Sequence, residues 1–373
     1  MALEKLLHKL SRDRWLTTGE YTALLSEPMV REARLLADRV RRERFGTRVW
    51  LRGLIDMGSI CRFDCPHCHQ RTGADCVRYR MRPREILDCC DEAEALDMRS
   101  ILLRTSPDRF YTEKMLTGLI GKIRTHFPDF AVGLALGEQS RESLTALADM
   151  GADRYTLLHE TADRERFLRT HPPELSHDRR LHCLNELKEL GFQTACGFLV
   201  GDQSPEELAK ELKFLEEFQP HAVELLPMDA PPEQVEYLIS LIRLLLPESM
   251  IAAPANTPGQ ILAGANLATL SLIRTRRSFP CCGGNRGDGP ATAESIATLR
   301  RSLAEIGFEV TMDPDPWSLS PPAGPGANSF WWSGERMASF GLTRLVAMIR
   351  SAYGIRKTLT TNAIVDMECR GDH

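Results

Sequence analysis

Short apolar runs alternate with stretches of helical period along most of the chain. The runs fall at residues 49–57, 100–103, 131–136, 155–158, 194–200, 222–226, 250–253 and 267–270, lengths that suit strands buried on both faces. Between most of them lie segments with apolar positions three and four apart, at 83–96, 113–126, 141–150, 177–190, 205–218 and 232–245, which predict amphipathic helices. Strand and helix in alternation call for a parallel sheet with right-handed crossovers. Eight runs suit an α/β fold closed as a (β/α)8 TIM-type barrel; an open doubly wound sheet is the alternative. A helix at 291–306 and a strand at 308–311 are expected to finish the barrel.

The flanks differ from this core. Residues 1–46 are helical in period and rich in charge, and predict an N-terminal helical extension to a barrel at 47–312. Residues 313–373 are expected to form a lid or tail. Pro, Gly and Ser are dense between Asp313 and Ser329, Trp331 and Trp332 follow, and a helix is expected near 335–353.

The composition narrows the classes of function. At 373 residues and 43% apolar content, the chain can bury one large core or two ordinary ones. A net charge of −4 gives no electrostatic case for nucleic acid or for an anionic membrane. No apolar run approaches the roughly 18–20 residues that span a bilayer, and the first residues lack the small-residue cleavage site of a signal peptide. Eleven cysteines, an odd number, argue against a disulfide framework and for a reducing, cytoplasmic setting.

Three of those cysteines carry most of the chemistry. Cys61, Cys65 and Cys68 lie in one loop straight after the first predicted strand, at the end of a barrel where enzymes keep their reactive groups. Gaps of three and then two residues let one loop bring three thiolates to an iron–sulfur cube. Four would complete a [4Fe–4S] site. Three leave one iron with an open position, and open positions usually serve chemistry. Structural cysteines, or a zinc site drawing on His67 and His69, are the alternatives.

The cysteine spacing is that of the radical S-adenosylmethionine (SAM) superfamily. From about residue 35 to residue 202 the chain resembles the HydE maturases of [FeFe]-hydrogenase, relatives of methylornithine synthase and biotin synthase. The resemblance rests on Arg42-Glu43-Arg44-Phe45-Gly46, Leu51-Arg52-Gly53-Leu54-Ile55, the cysteine loop and Ala135-Leu136-Gly137-Glu138. Gly151-Ala152-Asp153-Arg154-Tyr155, His159-Glu160-Thr161-Ala162 and Leu187-Lys188-Glu189-Leu190 continue it. It implies a [4Fe–4S] cluster on Cys61, Cys65 and Cys68 whose free iron chelates SAM and, once reduced, cleaves it to a 5′-deoxyadenosyl radical. It also implies cofactor contacts from Glu160, from Arg180 to the methionine carboxylate, from Glu138, and from His67, which stands where relatives carry an aromatic residue beside the adenine. A helix-face ion pair between Glu160 and Arg180, and a helix-capping role for Glu138, are the plainer readings.

The chain departs from the family after the second strand. Relatives carry Gly-Glu-Asp there, whose glutamate and backbone receive the cofactor's amino group; this chain has Arg104-Thr105-Ser106-Pro107-Asp108. Proline removes an N–H and fixes φ, leaving Asp108 as the candidate stand-in. Gly133 and Leu158 also occupy positions that are polar in the maturases.

Cys281 and Cys282 are candidates for a second cluster, a hydrogen-atom relay or an inert loop. Cys89, Cys90 and Cys183 read as core residues. Cys196 is a candidate for entering the lumen, and Cys76 could serve an accessory metal. His171, His177 and His182 read as surface turn and helix positions without a role.

The resemblance implies a small-molecule or metallocofactor-precursor substrate and a reductant such as flavodoxin or ferredoxin. The expected activity is a divergent HydE-like maturation step. Radical modification of a small amino acid is the alternative, and non-catalytic cluster binding or sensing is the alternative of another class.

Overall fold

The computed structural model describes residues 2–255, 257–273 and 291–313. Its centre is a closed ring of eight parallel strands, in order β1 (Arg48–Gly58), β2 (Ser100–Thr105), β3 (Ala131–Ala135), β4 (Arg154–Thr156), β5 (Gln193–Val200), β6 (Ala222–Pro227), β7 (Met250–Pro254) and β8 (Leu267–Ser271). Gly53 lies opposite Ile101 on one edge of β1, and Trp50 opposite Leu267 on the other, which closes the ring. Helices α4 (Pro83–Ala95), α5 (Glu113–His126), α6 (Arg141–Asp149), α7 (Arg164–Thr170), α8 (His177–Glu189), α9 (Pro205–Phe218), α10 (Pro232–Leu245) and α11 (Pro258–Leu262) lie between successive strands. This is the predicted (β/α)8 barrel.

One detail of the prediction is corrected. Helix α12 (Ala293–Glu305) and strand β9 (Glu309–Thr311) exist, but they do not finish the barrel. β9 pairs with Arg48–Trp50, the part of the β1 edge that precedes β2, so it is a ninth strand added below a ring already closed by β8. The second-cluster candidates Cys281 and Cys282, and the predicted lid with Trp331 and Trp332, lie outside the described residues.

Strand alternation sorts side chains between helices and lumen. On β1, Val49, Leu51, Ile55 and Met57 join the main core, while Trp50 packs with Ala195, Ala222, Met250 and Leu267 as an apolar floor. Above that floor the lumen is polar. Arg52 reaches Glu224 at 2.8 Å and the Thr269 hydroxyl at 3.0 Å. Asp56 holds Arg104 through two bonds of 2.8 and 2.6 Å, and Arg154 donates to Ser100 at 2.9 Å. The same alternation overturns one expectation: Cys196 points with Phe198 and Val200 into the main core, so it does not enter the lumen.

The N-terminal helices α1 (Ala2–Asp13), α2 (Thr18–Ser26) and α3 (Val30–Phe45) pack on the outer helices of the barrel, with α2 lying against α9 and α3 against α10. Thr17 and Glu20 start α2 with a capping box. Arg41 of α3 is fully buried, and its guanidinium donates to the carbonyls of Ala265, Gly46 and Arg48. Five N–H donors on one rigid fork tie three chain segments together at the base of β1. Phe45 joins the floor.

Candidate active site

The cysteine loop leaves the top of β1 and returns through a neck at Ser59 and Tyr79. There the Ser59 N–H donates to the Tyr79 carbonyl at 3.1 Å, and the Tyr79 N–H to the Ser59 hydroxyl at 3.0 Å. Inside the loop, Arg78 donates to the carbonyls of Ser59, Gln70, Arg71, Thr72 and Ala74, at 2.6 to 3.4 Å. No helix or strand organises this segment, and the guanidinium fork takes over that task. Cys61, Cys65 and Cys68 are half-buried on it, none of them in a disulfide. The Phe63 N–H lies 3.4 Å from the Cys61 sulfur, a contact of the kind that tunes cluster sulfurs.

The thiols suit a cationic metal centre. Burial pushes Cys65 up to about 12, with Glu160, Cys68 and Cys61 adding to the effect. Burial also raises Cys61. Thiolates partly removed from water are disfavoured, whereas a bound metal deprotonates its thiols outright.

The loop after β2 acts as a strut for the cysteine loop. The Pro107 carbonyl accepts from the Arg62 N–H at 3.2 Å, and the Ser106 hydroxyl donates to Gln70. Both oxygens of Asp108 accept from Arg80, at 2.6 and 2.9 Å, and its side chain is only 4% exposed. For Asp108 to reach a cofactor, that pair would have to open. Pro107 also crowds Gly137, whose φ of +72° favours glycine, and a Cβ there would lie 3.1 Å from the proline ring.

Across the mouth the other predicted residues meet. Glu138 follows β3, Glu160 follows β4, and Arg180 projects from α8. Arg180 donates to Glu138 at 2.7 Å, to Glu160 at 2.6 Å and to the Leu158 carbonyl at 3.1 Å. Glu160 and Arg180 do form an ion pair, but between a loop and a helix, not along one helix face. Glu138 is not a cap, because Ser140 fills that position on α6.

The neighbours of Glu160 explain its placement. His159 and Thr161 both turn inward to the buried Glu211 of α9, at 2.9 and 2.7 Å. Glu160 between them faces the mouth with φ at +66°, its N–H on the Gly197 carbonyl and its own carbonyl accepting from Leu199. A non-glycine residue holds such a backbone only where its surroundings over-determine it. Gly197 is part of that frame, since a Cβ there would fall 1.7 Å from the Glu224 carbonyl oxygen.

Two histidines read as surface positions are corrected. His171, just past α7, is buried, and its Nε2 lies 2.5 Å from Glu160. His177 is also buried, with Nε2 3.0 Å from the Thr161 carbonyl. His182 is exposed as expected, its side chain 74% accessible. His67 brings its Nε2 to 3.4 Å from Glu160, and its ring meets His171 edge-on at 5.1 Å. Helix α7, which carries this region, has seven residues, too few for a hydrophobic period to announce it. The signals available were Asp163 at its N-cap and the prolines Pro172 and Pro173 after it.

Burial favours the neutral form of Glu160, but Arg180 and the imidazoles of His171 and His67 outweigh it, and hold the carboxyl well below its ordinary range. Burial works against the Arg180 charge, and Glu160 and Glu138 more than restore it. Beside these groups a cleft of about 900 Å³ opens between Arg62, Phe63 and Thr72 of the cysteine loop, Arg109, and Pro172 and Glu174.

The comparisons with known proteins agree with this geometry. A model of the radical SAM superfamily matches residues 55–215. The [FeFe] hydrogenase maturase subunit HydE of Thermotoga maritima is 34% identical over 253 residues, which are 63% of this chain and 71% of that one. A 3-methylornithine synthase of Methanosarcina acetivorans is 24% identical, over 72% of this chain and 83% of its own. Among solved structures, a methylornithine synthase has a TM-score of 0.71 at 22% identity, covering 82% of this chain and 97% of that one. The hydrogenase maturase HydG of Carboxydothermus hydrogenoformans has a TM-score of 0.70 at 18% identity, covering 84% and 80%. These two structural likenesses speak for the fold alone. Joined to the barrel and its cysteine loop, the identity to HydE makes this chain a member of the radical SAM superfamily, enzymes that work with a [4Fe–4S] cluster and S-adenosylmethionine.

Proposed function

We propose that Cys61, Cys65 and Cys68 hold the cluster and leave one iron for SAM, and that Glu138, Glu160, Arg180 and His67 form one wall of the cofactor pocket. The carrying observation is that His67, from the cysteine loop, stands 3.4 Å from Glu160 while Glu160 and Glu138 are both bonded to Arg180, so this charged wall adjoins the cysteine loop. Glu138 and Glu160 share the Arg180 guanidinium, with Arg179 also 3.5 Å from Glu138, and the carboxylates suit the sulfonium or amino group of SAM. Arg180, a planar fork, suits the carboxylate end. Asp108 we assign to holding the cysteine loop through Arg80. When bound and reduced, the cluster supplies the electron that cleaves SAM to a 5′-deoxyadenosyl radical. The chain's own work is to orient the cofactor, keep water from the mouth and hold one substrate hydrogen within reach.

The proposed reaction is a HydE-like step in metallocofactor maturation, by a divergent relative whose β2 loop serves as a strut. Its electrons come from a reductant such as flavodoxin or ferredoxin. A second reading, radical modification of a small amino acid, is favoured by the lumen. There Arg52 with Glu224, and Asp56 with Arg104, set both signs of charge above an apolar floor, which suits a small zwitterion.

Both readings rest on one assay. Protein loaded with iron and sulfide under anaerobic conditions, then given dithionite and SAM, should release 5′-deoxyadenosine. A Cys61→Ala variant should not. If wild-type protein carrying an intact cluster releases no more than that variant, the chain binds or senses through its cluster and both readings fall.

A further inference from the structure

We propose that His67, Glu160 and His171 form a mononuclear site for a first-row divalent cation, separate from the cluster. Their ligand atoms lie within 4.8 Å of one another, and they come from three segments: the cysteine loop, the turn after β4 and the end of α7. The site shares Glu160 and His67 with the proposed cofactor wall, on which it rests for its place in the fold, but zinc binding is read without SAM cleavage.

The argument begins with the far side of each ring. His171 Nδ1 lies 3.1 Å from the Phe167 carbonyl, and His67 Nδ1 lies 3.2 Å from the Thr170 carbonyl. A carbonyl oxygen only accepts, so each Nδ1 carries the hydrogen. The Thr170 hydroxyl, 3.0 Å from His171 Nδ1, donates to the Arg166 carbonyl at 2.9 Å and is free to accept from the ring. In the neutral imidazoles both Nε2 atoms then present lone pairs, and both are turned toward the same oxygen, Oε2 of Glu160. Two lone pairs facing a carboxylate oxygen call for a positive centre among them, which a shared proton supplies in the empty site and a cation can replace.

A cation answers that need in a recognised way. Metal-bound histidines usually donate their other N–H to a carbonyl or carboxylate, which fixes the tautomer and the ring plane. Both rings here are held so, and Phe167 further locks His171 by stacking parallel at 3.8 Å. Glu160 Oε1 stays on Arg180 while Oε2 is offered. Atoms about 2.0–2.1 Å from one tetrahedral ion stand about 3.3 Å apart. The His67–Glu160 separation of 3.4 Å already matches, and His171, at 2.5 Å, needs to withdraw by under about 1 Å. Two imidazoles and one carboxylate favour zinc or ferrous iron over magnesium or calcium. Any proton now shared between ring and carboxylate leaves to solvent on binding.

Zinc alone is the probe. Full-length protein carrying its cluster is equilibrated with one equivalent of Zn²⁺ and desalted; zinc is counted against iron, and absorption is recorded at the zinc edge. The expected result is about one zinc per chain, with nitrogen and oxygen neighbours at about 2.0–2.1 Å, imidazole scattering beyond them and no sulfur near 2.3 Å. His171→Gln and His171→Ala should weaken zinc binding about tenfold or more with the iron content unchanged. His182→Gln, at an exposed position, should not. Failure to retain zinc, sulfur in its first shell, or wild-type retention by both His171 variants would each overturn the site. The edge spectrum of the unaltered protein decides even if those variants fold poorly.

Discussion

The two sides of the barrel mouth carry similar charges put to different uses. On the β1–β2 side each acid holds an arginine through two hydrogen bonds, Asp56 with Arg104 and Asp108 with Arg80. On the β3–β5 side one guanidinium serves Glu138 and Glu160, and Glu160 also faces two imidazoles. Closed pairs satisfy each other and stiffen a loop. A shared network keeps capacity for a ligand, at the cost of depending on the one cation, Arg180, that both carboxylates bond.

Removing the shared cation should break the comparison most sharply. Arg180→Met removes a buried guanidinium from two half-buried carboxylates, leaving Glu138 to Arg179 and Glu160 to the imidazoles, and should cost up to about 3 kcal/mol in chemical denaturation. Next comes acid. Because Glu160 is depressed in the folded chain, its stabilisation is complete above the unfolded carboxylate value of about 4.3, and is lost as pH falls from there through the lower folded value. The stability gap between wild type and Glu160→Gln should therefore be flat from pH 7 to about 5 and narrow below about 4. A gap that narrows between pH 7 and 5 would contradict the depressed value.

The closed pairs should respond less. Asp108→Asn, which removes a covered carboxylate from a partly exposed arginine, should cost about 1–2 kcal/mol and leave SAM affinity, read by equilibrium dialysis, unchanged; a large loss of affinity would restore Asp108 to the cofactor wall. Replacing both partners, Asp56→Leu with Arg104→Met, should shift stability by no more than about 1 kcal/mol, since a buried pair exchanged for apolar side chains is often neutral. A collapse of that double variant would show that the two sides are not different in kind.

Much of the barrel was legible from local pattern. Strands buried on both faces read as unbroken apolar runs, and helices such as α5 and α9 bring their own caps in Thr112 and Ser204. Legibility failed where the signal is short or long-range. β9 has the composition of a strand, but whether it completes the ring or adds to β1 depends on which edge is vacant. Cys196 shows a limit of another kind: in a strand buried on both sides, hydrophobicity does not say which face looks inward. His171 was missed because seven residues of α7 hold under two turns, and because its partners lie in other segments.

By itself the chain specified an alternating parallel barrel and a loop of three thiols. Both are local properties, since apolar period and cysteine spacing are written over a few consecutive residues. Tertiary structure alone decided which carboxylate met Arg180, that Asp108 was taken by Arg80, and that two histidines turned toward Glu160. Those pairings join segments up to 104 positions apart, between His67 and His171, and closure of the ring, not any local preference, brings such distant residues together.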